Sequence, residues 1–203
     1  IVLASQRGGA GSGGVGDARE GPRCTAILTA DGALVAGRAD ASDADTAARA
    51  ATSGKAVLSE DGSRFYDPVL PPERLLVLGG GHVGRAVADL AAGLDFGVTI
   101  ADDRPGFADP ARFPKTVDVL QGAYADLIAR FPFGPSTYVL IVTPGHLSDL
   151  DCARAVLQKE YRYLGMIGSR RKVRMVMETL VAEGHDPQRV EALYSPVGIT
   201  IGA

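Results

Sequence analysis

The chain has few cysteines, little net charge and no long apolar run, and each shortage argues against a class of protein. Its 203 residues contain two cysteines, Cys24 and Cys152, which lie far apart and form no Cys-x-x-Cys pair, so we expect two reduced thiols. The formal net charge of −3 argues against a general nucleic-acid binder, because such proteins are usually basic. No apolar run approaches the roughly 18 residues that span a bilayer, and no signal-peptide pattern is present. We therefore expect a cytoplasmic protein without nucleic-acid or membrane partners.

The chain also lacks a catalytic triad, a nucleophile elbow and an evident pair of carboxylates, so none of these patterns predicts a catalytic residue. It begins at Ile1 rather than Met, and we expect a fragment of a longer protein. What is present is typical of a globular protein, with 46% hydrophobic residues. The length allows one domain of about 130 residues and a smaller unit.

Residues 1–70 predict a small, partly irregular α+β domain. Its predicted elements are a glycine-rich loop over residues 1–23 and a hairpin around an Asp-Gly pair over residues 24–36. An alanine-rich helix over residues 43–53 and a short strand over residues 56–58 follow. Proline interrupts both helix and sheet, so Pro68, Pro71 and Pro72 mark a linker.

Residues 71–203 predict a Rossmann-like, doubly wound parallel sheet, because strands alternate with helices. The predicted strands are residues 74–78, 96–101, 116–120, 138–142 and 163–167. The predicted helices are residues 82–93, 124–131, 149–159 and 170–183, the first with Val83, Val87, Leu90 and Leu94 on one face. A strand order of 3-2-1-4-5 would place a crevice where the first and fourth strands part.

A glycine-rich loop follows the first of these strands. Gly79, Gly81 and Gly84 fit the G-x-G-x-x-G spacing, which allows a tight turn, a close approach of backbone to a pyrophosphate, and close packing of helix on strand. The alternative is a tight strand-to-helix turn without a ligand. Asp102 ends the second strand, the usual place for a carboxylate that binds both ribose hydroxyls. Arg104 leaves the cofactor open, since it would either hold a 2′-phosphate or pair with a carboxylate.

Thr143, Gly145 and His146 follow the fourth strand and should face the same crevice. His82 opens the first helix, so both histidines either border one pocket or are ordinary hydrogen-bonded loop residues. Asp149 stands where an N-cap belongs. A metal site formed by His82, His146 and Asp149 is the weaker alternative, because residues on separate loops carry no metal-ligand spacing of their own. We predict no metal site.

Ser169 is a natural N-cap for the last predicted helix, and Arg170, Arg171 and Lys172 follow it. Three cations in a first turn oppose the helix dipole, and a bound anion would remove that conflict. The alternative is that the three side chains are solvated or paired with acidic residues such as Glu160. Phe107 and the Arg112-Phe113-Pro114 stretch are interpreted as packing elements, and Cys152 as a buried thiol.

Taken together, the motifs from about Pro71 onward resemble the C-terminal domain of the XdhC/CoxI family, accessory proteins of molybdenum hydroxylases such as xanthine dehydrogenase. The matching stretches are residues 79–84, Asp102-x-Arg104, residues 112–114, residues 143–146 with Asp149, residues 165–172, and residues 195–203. The family's N-terminal glycine run is missing near Ala36–Asp40, so the resemblance implies no function for that half of the chain. The family's C-terminal helix would follow Ala203, so we expect either a truncated domain or a further tail.

The resemblance implies binding of molybdenum cofactor, assistance in its sulfuration by a cysteine desulfurase, and its insertion into the apo-hydroxylase. The ligand-binding residues expected on this interpretation are Gly79, Gly81, His82, Gly84, Asp102, Arg104, Thr143, His146, Ser169, Arg170 and Arg171. His82 and His146 would lie near the reactive end, and a homodimer is left open. The alternatives are an NAD(P)-dependent oxidoreductase, which would bind NAD or NADP through Asp102, and a nucleotide-sensing module.

Overall fold

The computed structural model describes residues 1–6, 23–69 and 72–198. The chain divides into two compact units, Ile1–Pro71 and Pro72–Ala203. Within the described residues each unit has a hydrophobic core of its own. None of the described helices combines the length and the apolar content that crossing a lipid bilayer requires.

The first unit is an antiparallel five-stranded sheet with one helix, α1 (Ala41–Ser53). The strands are β1 (Val2–Gln6), β2 (Arg23–Leu28), β3 (Leu34–Gly37), β4 (Val57–Leu58) and β5 (Arg64–Pro68), in the order β3-β2-β1-β5-β4. The prediction of a loop over residues 1–23 was wrong for β1, the central strand. Val2 and Ala4 alternate into the core with a period of two residues. The glycine-rich remainder of that predicted loop, residues 7–22, lies outside the described residues.

A buried polar cluster holds α1 against β5. Asp40 caps the helix, and the buried Asp43 accepts hydrogen bonds from Arg64 and from the Tyr66 hydroxyl. Burial, followed by the hydrogen bond to Asp43, raises the pKa of Tyr66 to about 12. Tyr66 therefore stays protonated and donates to the carboxylate.

The second unit is a parallel five-stranded sheet with helices on both faces. Its strands are β6 (Arg74–Leu78), β7 (Gly97–Asp102), β8 (Asp118–Gln121), β9 (Thr137–Ile141) and β10 (Tyr163–Met166), in the order β10-β9-β6-β7-β8. Read from β6 as the first strand this is the order 3-2-1-4-5, so the Rossmann-like prediction is confirmed. The chain runs from β6 to β7 and β8, then crosses back to β9. The point of reversal therefore lies between β6 and β9.

The helices of this unit are α2 (His82–Ala91), α3 (Tyr124–Arg130), α4 (His146–Val156), α5 (Arg170–Ala182) and α6 (Pro187–Glu191). Short 3₁₀ turns follow α2 at Ala92–Leu94 and precede β8 at Pro110–Arg112. Buried residues of α2 share a core with one sheet face, and those of α3, α4 and α5 share a core with the other. After α6 the chain returns beside β10, where the Ser195 Oγ donates to the Met166 carbonyl at 2.6 Å.

Helix α2 packs on the sheet through its small residues, Gly84, Ala88 and Ala91. Of the larger apolar residues predicted to share one face, Val87 is half-buried and packs against the core, whereas Val83, Leu90 and Leu94 are 46%, 73% and 69% exposed. Gly84 lies at the closest approach of the helix to the strand, because a Cβ at that position would collide with the Gly79 carbonyl oxygen. Only small side chains fit at that approach.

Candidate functional site

The candidate site lies at the carboxyl ends of β6 and β9, which are adjacent, parallel and paired in register at Leu78 and Ile141. The chain leaves β6 through α2 and β9 through α4, so the N-termini of both helices face this reversal point. Open α/β sheets bind ligands in the crevice at such a point. A cavity of about 670 Å³ lies elsewhere, along β8 and the carboxyl end of α3, and none of the predicted site residues lines it.

Both helices have a glycine as their N-cap residue, Gly81 for α2 and Gly145 for α4, and no side-chain hydrogen bond caps either one. The first amide groups of an α-helix have no partner inside the helix, and its N-terminus carries a partial positive charge. α3 also lacks a side-chain cap, whereas Ser169 caps α5 by accepting a hydrogen bond from the Lys172 amide at 3.3 Å. The crevice is therefore bordered by two helix N-termini that favour an anion.

The glycines of the loop have different roles. A Cβ at Gly79 would lie 2.5 Å from the Val142 carbonyl oxygen, and one at Gly80 would collide with the Phe107 carbonyl oxygen. The φ of Gly79 is +120°, which side-chain-bearing residues rarely adopt. At Gly81, by contrast, a Cβ would meet nothing within 4 Å. Gly79, Gly80 and Gly84 are thus required by the fold, whereas the space beside Gly81 is open.

Asp102 anchors the glycine loop. Its buried carboxylate accepts hydrogen bonds from the Gly80 amide at 2.7 Å and the Arg104 amide at 2.9 Å. The Arg104 guanidinium adds two more, from Nε at 2.9 Å and Nη2 at 2.7 Å. Burial alone would raise the pKa of Asp102, but the hydrogen bonds from Arg104 and Gly80 outweigh it and hold the pKa below its usual value. Of the two roles left open for Arg104, the structure shows pairing with a carboxylate.

Arg112 holds the same loop from the other side. Its Nη1 donates to the carbonyl oxygens of Gly80 at 3.0 Å and Phe107 at 3.1 Å. The Phe107 ring stacks against the Arg104 guanidinium, with 3.7 Å from the ring centroid to Cζ. The sequence interpretation gave Arg112 and Phe107 a packing role only. The sequence did contain a signal that Arg112 has a role beyond packing, because residues 112–114 are one of the stretches that resemble the family.

Thr143 and Asp149 are both buried and bonded to each other, with the Thr143 hydroxyl donating to Asp149 Oδ1 at 2.5 Å. The other carboxylate oxygen of Asp149 forms an ion pair with Lys172. The prediction of Asp149 as N-cap was wrong: α4 begins at His146, three residues earlier than predicted, and Gly145 is its N-cap. Asp149 instead ties the first turns of α4 and α5 together.

His82 and His146 are exposed and occupy the first positions of α2 and α4, on the two sides of the reversal point. The described residues contain no group of three or more histidine, cysteine or acidic side chains that could hold a metal ion. Asp149, the third member of the alternative metal site, is already bonded to Thr143 and Lys172.

The basic turn after Ser169 divides into two kinds of residue. Lys172 is paired with Asp149, so its charge is neutralised locally. Arg170 and Arg171 are exposed at the first positions of α5, and neither forms an ion pair with a described residue. Two free guanidinium groups thus stand at the carboxyl edge of the sheet, two strands away from the glycine loop. As a whole, the edge can hold an anion at the helix N-termini of α2 and α4 and a second one at α5.

Comparison with known proteins identifies the second unit. The family model of the XdhC Rossmann domain matches residues 75–203. The chain is 31% identical over 131 residues to the uncharacterized protein YqeB of Escherichia coli strain K12, in a match that covers 64% of this chain and 24% of that protein. It is 27% identical over 139 residues to a probable xanthine dehydrogenase component of Bacillus subtilis strain 168, in a match that covers 68% of this chain and 40% of that protein.

A crystal structure described as a xanthine dehydrogenase from Bacillus halodurans shares the fold, with a TM-score of 0.70 at 22% identity. That match covers all of this chain and 54% of the other. The chain spans less than half the length of either curated relative. The match of the family model over most of the chain confirms the resemblance carried by the glycine loop and the basic turn: this chain belongs to the XdhC family, with the family's Rossmann domain at residues 75–203.

Proposed function

We propose that this protein is an accessory factor that binds molybdenum cofactor and assists its sulfuration and insertion into a xanthine-dehydrogenase-type hydroxylase. The observation that carries the proposal is the open space beside Gly81, at the start of α2 and opposite the start of α4. Of the four glycines in the loop, Gly79, Gly80 and Gly84 are required by the fold, whereas Gly81 has open space beside it. Membership of the XdhC family supports the choice of ligand.

The residues present fit such a ligand. Molybdopterin carries a phosphate, and the uncapped amides at the start of α2 would hold it without a side chain. The exposed Arg170 and Arg171 would bind a second anionic group or the acidic surface of a partner. When bound, the cofactor supplies the molybdenum centre that the hydroxylase uses for its own redox chemistry. This chain's residues bind and orient the phosphate end, with His82 and His146 at the rim of the crevice.

The partners follow from the family. The Bacillus subtilis relative is named as a probable component of xanthine dehydrogenase, and this name supports an association of the present protein with a hydroxylase of that kind. A cysteine desulfurase as the source of sulfur, and a homodimer as the working state, are further parts of the proposal. Pull-down of the apo-hydroxylase by the full-length protein, with and without cofactor, tests the first of these partners.

Binding of the cofactor is tested by anaerobic titration of the full-length protein with molybdopterin. Gly81→Val fills the open space, and we expect it to raise the Kd by about tenfold or more, because the phosphate loses its close approach to the backbone. Gly93→Val is the matched control. It lies in the 3₁₀ turn beyond the other end of α2, where a Cβ likewise meets nothing within 4 Å. Equal affinities of the two variants would refute the proposed site.

A second titration tests the basic turn. Arg171→Glu should weaken binding and lower its dependence on salt concentration, since fewer counterions are released when one cation is lost. Arg162→Glu makes the same change of net charge at the opposite, amino end of β10 and serves as control. If both variants keep the salt dependence of the wild type, Arg171 is a solvated residue.

A further inference from the structure

We propose that Asp102, Arg104 and Phe107 close the half of the crevice above β7 to nucleosides, so that the site accepts a phosphomonoester and rejects a dinucleotide. The inference takes the position of the phosphate, beside Gly81, from the proposed function. It adds a selectivity that membership of the family does not supply, and it concerns the side of the crevice opposite to β9.

The first argument is that Asp102 has no acceptor site left. In Rossmann domains that bind dinucleotides, the carboxylate at the end of the second strand accepts hydrogen bonds from the ribose hydroxyls. An ionised carboxylate has about four acceptor positions. Here the Gly80 amide, the Arg104 amide and two guanidinium nitrogens of Arg104 fill them, at 2.7 to 2.9 Å. The side chain is also buried, so a ribose has neither access nor a free oxygen.

The second argument is that Arg104 is held in place. Two hydrogen bonds fix its guanidinium in the plane of the Asp102 carboxylate, and the Phe107 ring covers one face at 3.7 Å. The Phe107 carbonyl in turn accepts from Arg112, which also binds the Gly80 carbonyl. Moving Arg104 away would leave a buried carboxylate without its cation, which is strongly unfavourable.

Both nicotinamide dinucleotides are therefore disfavoured. NAD would need Asp102 for its ribose, and NADP would need the guanidinium fork of Arg104, whose Nε and Nη2 are bound to Asp102. The same argument applies to a dinucleotide form of molybdopterin. The organic part of the ligand is then directed to the β9 half of the crevice, beside His146.

The test is a gain of nucleotide binding. Full-length protein is titrated with NAD⁺ and with ADP-ribose, and we expect no saturation for the wild type up to about 1 mM. Arg104→Ala removes two of the four hydrogen bonds to the Asp102 carboxylate. ADP-ribose should then bind to the variant at least about tenfold more tightly than to the wild type. Adding Asp102→Ala in the double variant should abolish that gain. Arg85→Ala, an exposed arginine on α2 paired with Asp89, is the control and should behave as the wild type.

The double variant also lacks the unpaired buried charge, so it remains measurable if Arg104→Ala fails to fold. In that case Arg104→Lys, which keeps a cation beside Asp102 but loses the two-nitrogen fork and so frees a carboxylate position, replaces the single variant. Saturable binding of NAD⁺ or ADP-ribose by the wild type at micromolar concentration overturns the inference, as does a folded Arg104→Ala or Arg104→Lys variant with no gain. Failure of the wild type to bind molybdopterin would instead refute the proposed function, because the nucleotide titrations do not depend on it.

Discussion

At the scale of single residues, the buried carboxylate of Asp102 is stable because four donors surround it. Its pKa in the folded protein is lower than in the unfolded chain, where the pKa of an aspartate is about 3.9. A depressed pKa in the folded state adds stability at every pH above the unfolded value. That contribution is lost as the pH falls through the folded-state pKa.

We predict that Asp102→Asn lowers the free energy of unfolding by about 1.5–3 kcal/mol at pH 7, because hydrogen bonds to a charged group are lost. The difference from the wild type should begin to shrink below about pH 4, where the carboxyl of the unfolded chain becomes protonated, and should be lost as the pH falls through the lower pKa of the folded state. Urea unfolding followed by circular dichroism at several pH values measures both effects. Asp118→Asn, at an exposed residue of β8, is the control and should change stability by less than about 0.5 kcal/mol. A pH-independent difference would contradict the role of the ionised carboxylate.

At the scale of elements, α2 shows that hydrophobic periodicity and burial are separate properties. Val83, Val87 and Leu90 recur at helical spacing, yet only Val87 packs partly against the core, because the helix approaches the strand most closely at Gly84, where only small side chains fit. The helix therefore packs tightly by Ala88 and Ala91 and leaves Leu90 in solvent.

The matched pair Ala88→Leu and Leu90→Gln tests this orientation. Ala88→Leu should destabilise the protein by about 1–3 kcal/mol, because it overpacks the contact between α2 and the sheet. Leu90→Gln should change stability by less than about 0.5 kcal/mol, since the side chain is 73% exposed and both residues favour helix. Urea midpoints at constant m-value give the comparison. A costly Leu90→Gln would mean that this face is covered.

The first turns of α4 and α5 are joined by the ion pair between Asp149 and Lys172. We predict that Lys172→Met costs about 3 kcal/mol, because it leaves a buried carboxylate without a cation. In the Asp149→Asn background the same substitution should cost about 1 kcal/mol or less. A double-mutant cycle measured by urea unfolding gives the coupling directly. Additive effects in the cycle would show that the pair contributes nothing to the junction.

At the scale of the whole molecule, the described residues form two units with separate cores. The family match begins at residue 75 and so lies entirely within the second unit. The first unit depends on its own polar cluster, in which Asp43 joins α1 to Arg64 and Tyr66 of β5.

Hydrogen exchange of the full chain tests the independence of the two cores. Asp43→Ala removes a buried acceptor and should speed the exchange of β1 and β5 amides by roughly 30-fold or more, equivalent to about 2 kcal/mol. The amides of β6 and β9 should exchange as in the wild type. Loss of protection in both units would show that they unfold together.

Much of the second unit could be predicted from local patterns. The five strands, the turn at the glycine loop and the start of α5 after Ser169 were correct because each depends on short-range chemistry such as turns, caps and apolar runs. The predicted start of α4 was wrong because aspartate is a common N-cap residue, whereas Asp149 lies inside the helix and pairs with Lys172 of α5. The strand β1 was missed because its five residues form a strand by pairing with β2 and β5, and the sequence of β1 alone does not show that pairing.

The sequence by itself determined the doubly wound fold and the family, since these follow from periodicity, glycine spacing and the other motifs. Only the tertiary structure decided what the polar residues at the carboxyl edge of the sheet can still do. Asp102 and Thr143 were expected to face a ligand, yet both are buried and bonded within the protein. A hydrogen bond depends on which groups meet in space, and here the carboxylate of Asp102 meets Arg104 and the hydroxyl proton of Thr143 meets Asp149.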